Sequence, residues 1–169
     1  MNKDLTIFLL ICWIVFCLVN LIEGIYQDNK ENNIKLNCTY HSLIQGVLHY
    51  CAPVYKQHNI KYYPLYMVSK STSKANRLGC YILQEKKIVI YVNNFEGSES
   101  ARIKNIIHCI LHEIEHHITS QKNPDFKNYD VYTKNVGYSS NIFEISANHF
   151  ADEKLNDCIK QLRQKGILT

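Results

Sequence analysis

The stretch IIHCILHEIEHHITS, residues 106–120, constrains the fold more than any other part of this sequence. From Ser98 to about Thr119, apolar residues recur at steps of three and four, which is the spacing of one buried helix face. Ser98 or Ser100 is a suitable N-cap for such a helix. The pattern therefore predicts a long helix over 98–119 that packs against a core.

Within this helix, His112, Glu113 and His116 form an H-E-x-x-H pattern. Residues i and i+4 lie one above the other on the same helix face, so both imidazoles can reach one Zn²⁺ ion. Glu113 lies about 100° round the helix from His112, where it can accept a proton from an attacking water. A catalytic zinc also needs a third protein ligand and an open position, so the third ligand must come from another element.

The stretch NIFEISANHFADEKL, residues 141–155, supplies a candidate for that ligand. In a predicted helix from about Ile142 to Lys165, Glu144 and Asn148 share one face with alanines that permit close approach of another helix. Glu144 is therefore predicted as the third ligand of one zinc ion per chain. Asn148 is predicted to orient a ligating imidazole by contacting it outside the set of metal ligands.

Three stretches of the chain resemble a known family: KIVIYVNN, IHCILHEIEHH and EISANHFADEKL. They are similar to the strand, the H-E-x-x-H helix and the E-x-x-A-N-x-F-A helix of the ImmA/IrrE metallopeptidases, within the gluzincin group of zincins. The resemblance covers about residues 78–158. It implies peptide-bond hydrolysis with Glu113 as the general base, and it implies these zinc ligands: His112, His116 and Glu144.

The chain departs from the common pattern of that family at two positions. Family members commonly have a small residue where Glu115 stands and a glutamate where Ser146 stands. They are often soluble and often lie beside a DNA-binding repressor that they cleave. An N-terminal membrane segment is not their usual arrangement.

The remaining segments predict an α+β fold. Apolar residues from Leu36 to Cys51 recur at helix spacing, and Pro53 would end that helix. Three stretches rich in aromatic and β-branched residues indicate strands, the last two as a hairpin: YYPLYMV (62–68), LGCYIL (78–83) and KIVIYV (87–92). The tyrosine-bearing stretch 120–141 is predicted to be a long polar connection that contains short pieces of structure of its own. We expect a small antiparallel-containing sheet packed on the H-E-x-x-H helix and the C-terminal ligand helix, as a minimal zincin-like domain over 34–169.

The N-terminal stretch LTIFLLICWIVFCLVNLI, residues 5–22, carries no charged residue. Its length is near the roughly 20 apolar residues that span a bilayer, so it predicts a transmembrane anchor within residues 1–25, followed by a polar linker over 26–33. A signal peptide is the alternative, although the flanking residues offer a poor cleavage site. We therefore expect a single-pass membrane protein, with the side of the catalytic domain undetermined, or a secreted protein if the segment is cleaved.

Charge and cysteine content limit the partners and leave the compartment open. The formal charge of +4 is small and the lysines are dispersed, so no nucleic-acid partner is expected. Five cysteines follow the apolar segment: Cys38, Cys51, Cys80, Cys109 and Cys158. An extracellular location would allow two disulfides and one free thiol, whereas a cytosolic location requires none.

Three functions fit these observations. The first is a membrane-anchored zinc metallopeptidase that acts on a specific protein or peptide substrate. The second is a catalytically degenerate, zinc-stabilised binding or immunity module on the same scaffold. The third is a structural membrane protein without metal.

A peptidase usually needs a group that stabilises the oxyanion. The sequence offers four candidates without ranking them: Tyr129, Tyr132, Tyr138 and His149. His117 is expected to be solvated, because it points away from the face of His112 and His116. His108 and Cys109 are expected to be a helix-end histidine and a core cysteine rather than a second pair of ligands.

Overall fold

The computed structural model describes residues 13–22, 34–71 and 76–169. The chain divides into two compact units, Met1–Ile34 and Lys35–Thr169. In the first unit, residues 13–22 are helical (α1) and their side chains are exposed. The second unit holds every candidate ligand.

The prediction of an N-terminal transmembrane helix is wrong. Among the described residues, no helix is long and apolar enough to cross a membrane. Residues 5–12 of the predicted anchor, and the predicted linker over 26–33, lie outside the described residues. The expected single-pass membrane localisation is therefore not supported either.

The second unit contains a three-stranded mixed sheet: β1 (Leu65–Ser69), β2 (Gly79–Ile82) and β3 (Lys87–Tyr91). The central strand β3 pairs in parallel with β1 and antiparallel with β2, so the predicted hairpin is present. In the β2 register, Gly79 lies opposite Ile90. Strands β1 and β2 are the two edges of the sheet.

Helices pack against this sheet and against one another: α2 (Tyr40–Tyr50), α3 (Ala52–Gln57), α4 (Glu99–Lys122), α5 (Tyr129–Val136) and α6 (Ile142–Gln164). Helix α4 is central, because it contacts α2 and α6 as well as β2 and β3. Its core-facing isoleucines are among the most buried side chains of the chain. The long helix inferred from the apolar spacing is therefore the element on which the domain is built.

Local capping explains where the two longest helices begin. The Ser98 side chain accepts a hydrogen bond from the Ala101 N–H at the start of α4, and the Asn141 side chain accepts one from Phe143 at the start of α6. The first predicted helix ends at Tyr50, before Pro53. Proline then occupies the first turn of α3, where its missing N–H removes no helical bond.

The segment between α4 and α6 has the short pieces of structure that were predicted for this connection. It contains α5 and two short 3-10 turns, Pro124–Asn128 and Tyr138–Ser140. No residue of α5 is buried, and the helix has only eight residues, so it gives a weak signal in the sequence. We call residues 124–140 the arm, because they lead from the H-E-x-x-H helix to the helix that bears Glu144.

Candidate metal centre

Helices α4 and α6 bring His112, His116 and Glu144 together. His112 and His116 lie one turn apart on α4, and Glu144 lies in the first turn of α6. The His112 Nε2 atom is 3.2 Å from Glu144 Oε2, and the His116 Nε2 atom is 3.0 Å from Glu144 Oε1. The three residues are 8%, 6% and 1% exposed, respectively. The three predicted ligands therefore lie close together and are buried.

The spacing of these donor atoms fits a metal ion. One ligand atom from each residue lies within 4.8 Å of the others. Around a tetrahedral ion with bonds of about 2.1 Å, ligand atoms are about 3.4 Å apart, so only small adjustments are needed. Glu144 Oε2 is buried and has no hydrogen-bond partner among the described residues, and a cation would satisfy it. His112, His116 and Glu144 thus form a buried group that can bind a metal ion.

Asn148 contacts the face of His112 that lies away from Glu144. The His112 Nδ1 atom is 2.9 Å from Asn148 Oδ1. An amide oxygen can only accept a hydrogen bond, so Nδ1 carries the proton and Nε2 presents its lone pair towards Glu144. This contact is the one expected of a residue that orients a ligating imidazole.

Glu144 is held in its charged form. Burial alone raises the pKa of this carboxyl, but its polar contacts with both histidines, Tyr129 and Tyr138 hold the pKa well below its usual range. Tyr129 Oη donates to Glu144 Oε1 at 2.5 Å. Of the four residues considered for oxyanion stabilisation, the structure brings these two tyrosines to the site. The ring of Tyr132 instead contacts Phe143.

The fourth candidate, His149, lies on the surface of α6. Its side chain is 73% exposed, and its Nδ1 atom is 3.8 Å from Glu153 Oε2. Unlike Tyr138, His149 does not line the cleft described below.

Glu113 is buried beside the candidate ligands. It is 6% exposed, and burial raises the pKa of its carboxyl to about 7. The backbone N–H of Tyr81 on β2 donates to this carboxylate, which limits the rise in its pKa. A group whose pKa is near neutrality can both accept and release a proton under physiological conditions.

A cleft of about 910 Å³ contains Glu113 together with the three candidate ligands. Its lining combines β2, the ligand-bearing face of α4 and residues of the arm. Gly79 allows β2 to lie close to α4: a Cβ atom at this position would stand 2.6 Å from Cys109 Sγ and 3.1 Å from Glu113 Oε1. The sequence carries no signal for the role of Gly79, because only the packed structure shows what it contacts.

The two positions that depart from the ImmA/IrrE pattern are in contact with each other. Ser146 Oγ donates to Glu115 Oε1 at 3.4 Å, and Thr119 Oγ1 donates to the same oxygen at 2.9 Å. Burial raises the pKa of Glu115. Glu115 is thus held between α4 and α6 by hydroxyl groups, and not by the candidate metal ligands.

The expectation that His117 is solvated is wrong, because it is only 1% exposed. Its Nε2 atom lies 3.2 Å from the Tyr62 carbonyl oxygen and its Nδ1 atom 3.1 Å from the Tyr81 hydroxyl. A signal was present in the sequence: His117 follows Ile114 by three residues and Ile110 by seven, so it shares their buried face.

Cys109 is a core cysteine, as expected, but His108 is not at a helix end: it lies in the middle of α4. Cys109 is buried at 8% exposure, and His108 Nε2 lies 3.0 Å from Asp152 Oδ1. Neither belongs to the group of candidate ligands.

Comparison of the chain with models of protein families, with curated proteins and with solved structures finds no match. The resemblance to the ImmA/IrrE family therefore rests on the motifs alone.

Proposed function

We propose that this chain is a zinc-dependent metallopeptidase of the ImmA/IrrE type, which hydrolyses peptide bonds of a specific protein substrate. One observation carries the proposal: a buried carboxyl group with a pKa near 7 lies in the same cleft as a buried group of two histidines and a glutamate. Metal ligands alone would fit a structural site as well. The general base beside them favours hydrolysis.

Zinc is the metal that this donor set favours. Two imidazole nitrogens and one carboxylate oxygen are the protein ligands of zinc peptidases such as thermolysin, whereas structural zinc sites usually have four protein ligands. The group found among the described residues has three. A fourth position facing the cleft would remain open to water and substrate.

The residues around the metal have complementary roles. When bound, zinc would polarise the scissile carbonyl and make water a stronger nucleophile. Glu113 then takes the proton of the attacking water and passes it to the leaving amine. Glu144 stays anionic and compensates the charge of the metal. Asn148 keeps the proton of His112 on Nδ1, so that Nε2 remains available as a ligand.

The edge strand β2 offers a place for the substrate backbone. The Tyr91 N–H donates to the Leu78 carbonyl, and in an antiparallel ladder alternate residues point their N–H and C=O groups away from the partner strand. Gly79 and Tyr81 therefore point these groups away from β3, and both residues line the cleft. Glu113 accepts the Tyr81 N–H, so an extended peptide pairing with the Gly79 groups and the Tyr81 carbonyl would lie beside Glu113.

The test compares Glu113→Gln with Glu115→Gln in the full-length chain. A mixture of unstructured peptides is incubated with each zinc-loaded protein, and the products are analysed by mass spectrometry. We expect Glu113→Gln to bind zinc but to lose about 10²–10⁴-fold in cleavage rate, because the general base is gone. Glu115→Gln should cleave at close to the wild-type rate, because its carboxylate contacts Thr119 and Ser146 instead of the ligands.

Two results would contradict the proposal. Undiminished cleavage by Glu113→Gln would remove the general base from the mechanism. Zinc binding by the wild type without cleavage of any peptide or of the natural partner would favour the zinc-stabilised binding module.

A further inference from the structure

We infer that Tyr129 is a positioning residue of the metal centre: its hydroxyl holds Oε1 of Glu144 and leaves Oε2 as the oxygen that binds the metal. The inference deepens the proposed function, since it rests on the same metal site. It does not depend on peptide hydrolysis. It also assigns a role in the metal centre to the arm, which the sequence did not indicate.

The two oxygens of Glu144 have different surroundings. Oε1 accepts the Tyr129 hydroxyl at 2.5 Å, whereas Oε2 is buried without a hydrogen-bond partner among the described residues. Each oxygen also lies close to one histidine, Oε2 at 3.2 Å from His112 Nε2 and Oε1 at 3.0 Å from His116 Nε2, so the Tyr129 hydroxyl is what distinguishes them. A carboxylate with one oxygen held in this way is prepared to bind a metal through the other oxygen only.

The backbone of Tyr129 is held in place by Asn141 at the start of α6. Asn141 is fully buried, and its Nδ2 group donates to Thr133 Oγ1 at 2.8 Å and to the Tyr129 carbonyl oxygen at 3.4 Å. Its Oδ1 atom accepts the Phe143 N–H at 2.9 Å as the N-cap of α6. One side chain thus ties the backbone of Tyr129 to the helical turn that carries Glu144.

The ring of Tyr129 also packs against a second candidate ligand. It meets the His116 imidazole edge to face, with centroids 5.8 Å apart and planes at 79°. The ring of Phe126 contacts both of these rings, with its centroid 5.7 Å from that of Tyr129 and 5.6 Å from that of His116. His116 Nδ1 has no hydrogen-bond partner among the described residues, so these rings supply the packing that orients this imidazole.

Loss of the hydroxyl should therefore weaken metal binding more than it disturbs the fold. Partners of metal ligands typically contribute 10–100-fold in affinity, because they hold the ligand in its binding orientation. In Tyr129→Phe, Oε1 becomes available to the metal, and Glu144 can bind through both oxygens. The affinity and the coordination geometry should then change together.

The experiment measures metal binding by the metal-free full-length chain. Zn²⁺ is titrated in competition with a chromophoric chelator for the wild type, Tyr129→Phe and Tyr132→Phe. Tyr132 is the matched control, because it lies on the same helix and contacts Phe143 through its ring. We expect a 10–100-fold loss of affinity for Tyr129→Phe and less than about a twofold change for Tyr132→Phe.

Co²⁺ in place of Zn²⁺ provides a second readout through its visible absorption, which weakens when a tetrahedral site gains a fifth ligand. We expect weaker absorption for Tyr129→Phe and an unchanged spectrum for Tyr132→Phe. Thermal unfolding of the metal-free proteins should give cooperative transitions for both variants, since each keeps its ring, with a lower midpoint for Tyr129→Phe because Glu144 loses a hydrogen bond.

Wild-type affinity and spectrum in Tyr129→Phe would overturn the inference, as would equal losses in both variants. Neither readout involves cleavage, so an inactive but zinc-binding chain would refute only the peptidase function. A wild-type chain that binds no zinc would refute the metal site and this inference with it.

Discussion

Replacement of Glu113 by glutamine should stabilise the metal-free chain at alkaline pH. Burial raises the pKa of Glu113 to about 7 in the folded state, against an ordinary value of 4.5. The folded chain therefore binds this proton more tightly than the unfolded chain does. The resulting stabilisation is fully present below about pH 4.5, and it is lost as the pH rises through about 7.

The size of the effect follows from the two pKa values. The difference between about 7 and 4.5, at about 1.4 kcal/mol per pH unit, is about 3 kcal/mol in the free energy of unfolding. Glutamine has nearly the same shape, can still accept the Tyr81 N–H and carries no charge. Glu113→Gln should therefore match the wild type near pH 4.5 and exceed it by about 3 kcal/mol above pH 7.5.

The assay is urea unfolding followed by circular dichroism from pH 4.5 to pH 8.5, with a chelator present throughout. Glu153→Gln is the control, because this carboxylate lies on the exposed side of α6 with 56% of its side chain accessible. Its curve should parallel that of the wild type. A difference between Glu113→Gln and the wild type that stays constant with pH, or that falls as the pH rises, would refute the burial of the Glu113 carboxylate.

Three further outcomes are expected. Asn148→Ala should weaken zinc binding by about 10–100-fold in chelator competition, since the His112 Nδ1–H loses its acceptor; unchanged affinity would contradict the contact. Gly79→Ala should lower the free energy of unfolding by about 1–3 kcal/mol, because its Cβ would stand 2.6 Å from Cys109 Sγ, and Cys109→Ala in the same chain should recover part of that loss. Free zinc at about 100 times its dissociation constant should raise the free energy of unfolding by about 2.7 kcal/mol, and a chelator should remove this gain; equal stability with and without zinc would contradict a site confined to the folded state.

The sequence revealed the two helices of the metal centre because each gave several signals that agree. Helix α4 had an apolar period, an N-cap at Ser98 and two histidines four residues apart. Helix α6 had an N-cap at Asn141 and a face that carries Glu144 and Asn148. Both helices face a shared core, so their periodicity was strong enough to place these side chains before the structure was known.

Short structured pieces were predicted in the arm, but its contacts were not, because they are polar contacts between residues that lie far apart in the chain. The bond from Tyr129 to Glu144 spans 15 residues, and the bond from Asn141 to Thr133 spans eight. Hydropathy does not report such pairs. For the same reason, four candidate oxyanion residues could not be ranked until the tertiary structure showed that Tyr129 and Tyr138 reach Glu144.

At the N-terminus, the sequence predicted a structure that the described residues do not support. A long uncharged stretch was the whole basis for predicting a membrane span. None of the helices in the described part of the chain is long and apolar enough to cross a membrane.

The zinc content of the purified full-length chain tests the central claim most directly. Elemental analysis after dialysis would compare the wild type with Glu144→Ala and with Glu153→Ala, a control on the same helix whose carboxylate is exposed. We expect one zinc per chain in the wild type and in Glu153→Ala, and little or none in Glu144→Ala. A well-folded wild type without zinc, or a Glu144→Ala variant that keeps one zinc per chain, would contradict the assignment of His112, His116 and Glu144 as a zinc site.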